Sequence, residues 1–141
     1  MSCPAAARNA PDFSSMRQRR RAAGKTAGRL GRAAEDAALR RYCRAGARPR
    51  ARNWRAPRAF GGGELDLVID EGGVVVFVEV KARRTHDDAL SCLTAAQRRR
   101  ILAAAEAYLW TEGAAGREVR FDLALYDGAG RLEVMKNVAL D

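Results

Sequence analysis

Between Glu64 and Arg83 the chain runs ELDLVIDEGGVVVFVEVKAR, and this stretch constrains the fold more than any other. It reads as two strands joined by Gly72-Gly73, a favoured two-residue hairpin loop. If that loop closes the turn, Glu71 pairs with Val74, and counting back sets Asp66 opposite Glu79. Side chains alternate faces along a strand, so Glu79 and Lys81 point to the same side. Both interrupt an otherwise apolar run over Val74 to Lys81, and Asp66 is bracketed by Leu65 and Leu67. Like charges directly opposite each other are destabilising. A cation between Asp66 and Glu79 would make sense of the pattern.

The remaining elements follow from periodicity. Leu30, Ala34, Ala37, Ala38 and Tyr42 recur at helical spacing, predicting a helix over 28–44 with Gly46 as its stop. A short basic strand is expected over 48–55, then a glycine-containing loop over 57–63. The hairpin occupies 64–70 and 74–82. Thr94 starts a second helix, 95–110, whose stripe is Ile101, Leu102, Ala105, Tyr108 and Leu109. Residues 118–126 alternate as a strand, and 131–138 form a weaker one. This order of helix, three strands, helix, then one or two strands implies an α/β or α+β fold with one central sheet, α/β being the expected class.

Composition narrows the function. The chain has 141 residues and a net charge of +9, which suggests a polyanionic partner such as nucleic acid. Residues 1–26 carry +5 of that charge and show no sustained hydrophobic period, so they are expected to be a basic, disordered tail ahead of a domain over 27–141. No stretch approaches the roughly 20 apolar residues of a membrane span. No secretory h-region is evident, so a cytoplasmic location is expected. Cys3, Cys43 and Cys92 indicate neither a disulfide framework nor a zinc site. Gly24-Lys25-Thr26 lacks the earlier glycine and preceding strand of a phosphate loop.

Asp66 and Glu79 are the candidate metal ligands, and Lys81 would hold the attacking water or the scissile phosphate. The chain has 23 Arg and 3 Lys, yet places Lys here. An ammonium can shift its pKa where a guanidinium stays charged. Glu35 shares its helical face with Ala38, Leu39 and Tyr42, and a carboxylate there must be paired or hydrated. Asp36 points instead toward Arg29, Arg32 and Arg40. Plainer readings compete: Glu79 and Lys81 as strand-end charges, Glu35 as a surface carboxylate, Asp122 as an ion-pair partner within the sheet, His86 as a solvated loop residue. Thr94 to Gln97 has the form of a capping box. Arg98, Arg99 and Arg100 are either a phosphate-contacting patch or the wet side of a helix.

Taken together, the acid at Asp66 and the Glu79-Val80-Lys81 triplet across a hairpin resemble the PD-(D/E)XK nuclease signature. The runs Gly31 to Ala38, Arg52 to Arg55, Gly63 to Val68, Phe77 to Arg83 and Arg120 to Asp122 fall in the order of the YraN family of small bacterial proteins. That family is grouped with restriction-endonuclease-like folds and is similar to archaeal Holliday-junction resolvases. The resemblance covers about residues 28–137. It implies a mixed central sheet flanked by helices, with Asp66, Glu79 and Lys81 as catalytic core and Glu35 as the helix-borne acid. Gln97 stands where the family is expected to carry Lys. The implied activity is a Mg²⁺- or Mn²⁺-dependent endonuclease acting on DNA, branched or damaged. Arg83, Gln97, Arg98 and Arg99 are the expected nucleic-acid contacts. A resolvase of a four-way junction would be a two-fold homodimer. The alternatives are a non-catalytic nucleic-acid-binding protein and an interaction module of a DNA-processing assembly.

Overall fold

Helix α1, Ala22–Arg44, lies across one face of the sheet with Ala34, Ala38 and Tyr42 buried beneath it. These are the computed structural model's first described residues; it describes 22–82 and 93–140, with side chains from residue 30 onward. The small alanines let the helix approach the sheet closely, and Tyr42 fills the space near its end. The helix starts six residues before the expected 28, and Leu30, assigned to its apolar stripe, is exposed. Gly46 ends it as expected, at φ 98°. Cys43 is disulfide-bonded, contrary to the expectation from cysteine spacing. Cys3 and Cys92 lie outside the described residues.

Five strands follow: β1 Arg48–Arg55, β2 Glu64–Glu71, β3 Val74–Ala82, β4 Val119–Tyr126 and β5 Leu132–Met135. They form one sheet in the order β1-β2-β3-β4-β5. Gly72 and Gly73, at φ 60° and 92°, make the two-residue turn, and Glu71 pairs with Val74 as the sequence predicts. β3 and β4 are parallel, while the other neighbours are antiparallel. A parallel pair needs a long crossover. It contains helix α2, Ala95–Thr111.

The two helices divide the core. Leu67, Ile69, Val76, Val78 and Ala124 pack with Ala38 and Tyr42 on the α1 side. Val68, Val75, Phe77, Leu123 and Leu125 pack with Ile101, Ala105 and Tyr108 on the α2 side. Central strands covered on both faces read as continuous apolar runs, which accounts for Val74 to Val78. The expected mixed sheet flanked by helices is therefore the observed architecture. β5 is shorter than the expected 131–138. Among the described residues no helix is long and apolar enough to cross a membrane.

Beyond Ala56 the chain makes a 3-10 turn at Arg58–Phe60 and re-enters the sheet through Gly63. Gly63 has φ +101°, and a Cβ there would sit 3.3 Å from Ala104 Cβ and 3.4 Å from the Arg100 carbonyl oxygen. Glycine is needed on both counts: the backbone conformation and the close approach of α2.

Candidate active site

The β2–β3 ladder ends at Leu67–Val78, although both strands continue. β2 carries on pairing with β1 through Leu65–Trp54 and Glu64–Arg55. A fork thus opens between β2 and β3, and Asp66 and Glu79 are the first residues on its two arms. Beyond the last rung the Val80 amide donates to Asp66 Oδ2 at 2.9 Å.

β2 also turns over at this point. Leu65 packs in the α2-side core and Leu67 in the α1-side core. Residues two apart in a regular strand share a face. The partner strand makes the same change. Trp54, opposite Leu65, packs edge-on to Tyr108 of α2, whereas Arg52, opposite Leu67, reaches Glu35 and Asp36 on α1. Between them Asn53 takes φ 52°, an uncommon conformation for a residue other than glycine. Asp66 is therefore set at the level where the sheet changes face, in reach of groups from both sides.

The carboxyl groups of Asp66 and Glu79 act on each other across the fork. Burial, and then the Glu79 charge, push the Asp66 pKa up to about 7. Burial likewise raises Glu79, while Lys81 opposes the rise. Lys81 Nζ sits 3.3 Å from Glu79 Oε2, and both side chains are largely covered, at 17% and 19% exposure. Asp66 and Glu79 line a narrow crevice with Leu65, Leu93, Ile101 and Leu140. The low dielectric of that apolar wall is why the carboxylates favour their neutral forms.

Glu35 comes to this site from α1. Its pKa is raised by burial and by the Asp66 charge, against the opposing influence of Arg52 and Asn53. Its Oε1 accepts from Arg52 Nε and Nη2, each at 3.4 Å, and from Asn53 Nδ2 at 3.3 Å. Arg52 also bridges to Asp36 at 2.7 Å, a partner from β1 that the helix pattern did not suggest. Glu35 does not close a three-carboxylate cluster: among the described residues no group of three or more His, Cys, Asp or Glu side chains is gathered around a common point.

The expected nucleic-acid contacts divide. Arg83 lies outside the described residues, as does His86. Gln97 completes a capping box with Thr94, its Oε1 accepting from the Thr94 amide at 2.9 Å while its own amide donates to Thr94 Oγ1 at 3.1 Å. Arg98 Nε donates to the Leu93 carbonyl at 3.2 Å, and Arg99 is exposed.

Asp122 proves to be an ion-pair residue. It is buried at 2% exposure and accepts from Arg120 Nε, Arg120 Nη2, Tyr42 Oη and the Asn137 amide. Burial raises its pKa, but these donors outweigh burial and leave it below the ordinary value.

The pattern of Uncharacterised protein family UPF0102 matches residues 34–125. The chain belongs to the UPF0102 family. A UPF0102 protein of Dinoroseobacter shibae is 38% identical over 130 residues, covering 92% of this chain and 94% of its own. One from Ruegeria pomeroyi is 44% identical over 109 residues, covering 76% and 85%. One from Cereibacter sphaeroides is 39% identical over 115 residues, covering 81% and 95%. This bears out the YraN-like resemblance. Glu35, Asn53, Asp66, Glu79, Lys81 and Asp122 all fall inside the segment that the UPF0102 pattern covers. Asn53 was missed as a site residue. Its sequence signal was an Asn, tolerant of positive φ, inside a strand run.

Proposed function

We propose that this UPF0102 protein is a metal-dependent endonuclease of the PD-(D/E)XK kind, hydrolysing phosphodiester bonds of DNA, branched or damaged DNA being the expected substrate. The observation that carries the reading is the fork: two buried carboxylates facing each other from diverging strands, with a lysine beside them. A protein that only bound nucleic acid would gain nothing from such a pair, which repels phosphate and costs stability.

The donor set fits Mg²⁺ or Mn²⁺. Asp66 and Glu79 offer hard oxygen ligands at one point, and Mg²⁺ is commonly held by one or two carboxylates plus water and substrate phosphate. When bound, the cation would supply Lewis-acid polarisation of a phosphoryl oxygen. Asp66 and Glu79 would hold it, and its charge would relieve their repulsion. Lys81 presents ammonium donors next to Glu79, where they can fix a water or a phosphate oxygen for in-line attack. Glu35, oriented through one oxygen by Arg52 and Asn53, leaves Oε2 to order water near Asp66.

The test is cleavage of single-stranded, duplex, flapped and four-way DNA with Mg²⁺ or Mn²⁺. Wild-type protein should cut at least one of them. Asp66→Asn should lose cleavage by removing a charge from the metal site, and Lys81→Ala by removing the donor that positions water and phosphate. Wild-type protein that cuts none of these substrates would instead favour a non-catalytic nucleic-acid-binding protein or an interaction module.

A further inference from the structure

The arm of the fork that bears Asp66 extends beyond the sheet. Arg55 pairs with Glu64, and one step further the Ala56 amide donates to the Gly63 carbonyl at 3.0 Å. Residues 57–62 turn the chain between them. This tip stands at the open end of the fork, where β2 begins and β3 ends. The Glu64 charge at its base is felt by both Asp66 and Glu79. Phe60 is six residues from Asp66 along the chain, so their backbones are no more than about 20 Å apart.

Backbone hydrogen bonds fix the tip. The Phe60 amide donates to the Pro57 carbonyl at 2.9 Å, the Gly61 amide to the Arg58 carbonyl at 2.9 Å, and the Gly62 amide to the Pro57 carbonyl at 3.3 Å. Gly61, Gly62 and Gly63 take φ of 93°, 71° and 101°, conformations that glycine adopts without a steric penalty. Gly63 seats the base of the tip against α2. On this braced turn Phe60 is left 44% exposed. The fold gains little from the part of the ring that stays in water.

Two aromatic side chains are exposed among the described residues, Phe60 and Trp110. Trp110 lies just past Tyr108, whose hydroxyl meets Arg50 beside Asp70, toward the closed end of the hairpin. Phe60 is the one at the fork. Charge indicates what would cover it. Residues 56–63 contain Arg58 and no acid. Arg58 is exposed and has no ion-pair partner among the described residues. A basic turn on a chain of net charge +9 disfavours a second copy and suits a polyanion whose bases offer π-faces.

We infer that Phe60 is a stacking residue for an unpaired base of the nucleic acid whose phosphodiester lies at the fork. This rests on the nuclease reading for the bound strand, but not on its cleavage. Stacking on an aromatic ring tolerates any base. It requires a base that is free to leave its neighbours, which a flap, gap or branch supplies and an intact duplex does not. Phe60 would thus select for the branched or damaged DNA proposed as substrate.

The experiment is fluorescence anisotropy of the full chain with a labelled flapped DNA and with an intact duplex of equal length, in EDTA so that no strand is cut. Wild-type protein should prefer the flapped DNA. Phe60→Ala should weaken flap binding by about 5–150-fold, the range for losing one stacked base, and leave duplex binding unchanged. Unchanged duplex binding also shows that the variant folds. Phe60→Leu keeps an apolar side chain but no ring and should lose most of the preference, while Phe60→Trp should restore it. Trp110→Ala removes the other exposed ring and should leave the preference intact. Equal wild-type affinity for the two DNAs, or no binding to either, overturns the inference. So does a preference that Phe60→Ala and Phe60→Leu retain, or one that Trp110→Ala abolishes equally. A Phe60-dependent preference in a protein that never cuts DNA supports the stacking role and removes the endonuclease reading alone. Cleavage of flapped DNA with affinity indifferent to Phe60 keeps that reading and removes this inference alone.

Discussion

Asp66 Oδ2 accepts the Val80 amide at 2.9 Å, one residue past the last rung between β2 and β3. The side chain stands in for a backbone carbonyl that β2 no longer offers. The strands can therefore part without leaving a buried amide unpaired, which would cost about 1–3 kcal/mol. The same bond orients the carboxyl group toward Glu79.

The pair should make stability pH-dependent. Asp66 titrates near 7 in the fold against about 3.9 in an unfolded chain, so the native state holds its proton more tightly. Stability from this group is complete below about pH 4 and is lost as pH rises toward 7. Asp66→Asn keeps an acceptor for Val80 and removes the titration. In EDTA its melting temperature should exceed that of wild type at pH 8 and converge with it at pH 4. The difference at pH 8 should be on the order of 4 kcal/mol, from a gap of about 3 pKa units at about 1.36 kcal/mol each. Parallel melting curves across that range would refute the account.

A divalent cation should reverse the penalty. At 100 times its dissociation constant, Mn²⁺ should stabilise wild-type protein by about 2.7 kcal/mol at pH 8. Asp66→Asn and Glu79→Gln should lose most of this gain, while Lys81→Ala should retain it, since an ammonium is no ligand. Thermal melts with and without Mn²⁺ measure it, and equal gains in all four proteins would place the ion elsewhere.

Asn53 should tolerate Gly and reject Val. Its φ of 52° suits glycine, whereas a β-branched residue there is strained by about 1–3 kcal/mol. Asn53→Gly should fold with less than about 1 kcal/mol of loss. It should also free Glu35 from one of its donors, read as a weaker coupling between positions 35 and 53 in a double-mutant cycle. Denaturation that ranks Val at or above Gly would contradict the strand crossover described at this level.

Asp122 is the structural counterpart of the site acids. Asp122→Ala leaves the Arg120 guanidinium without its main partner and should cost about 3–5 kcal/mol. Tyr42→Phe removes one hydrogen bond to the same carboxylate and should cost about 1–2 kcal/mol. Urea denaturation distinguishes them. A negligible effect of Asp122→Ala would show that this network does not secure β4 to α1.

The sequence alone determined the hairpin and the register of its paired part, from Glu71–Val74 to Leu67–Val78. Gly72-Gly73 makes the two-residue turn, and counting from it holds as far as that last rung; the rung expected between Asp66 and Glu79 is not formed, because the strands part there. The apolar stripe of α2 at helical spacing and its Thr94–Gln97 cap were equally local, and so was the stop at Gly46. Other features were decided by tertiary structure. Nothing in the residues around Leu65 and Leu67 says that they enter different cores; that follows from β1 turning over with β2 at Asn53, so that Trp54 meets Tyr108 while Arg52 meets Glu35. The Asp36–Arg52 pair was not legible either, because Arg52 comes from another element. The parting of β2 from β3 is likewise not local, since it depends on which neighbour β2 keeps. Short-range geometry is written in turn residues and periodicity; which strands stay paired is settled only when the helices compete for the two faces of the sheet.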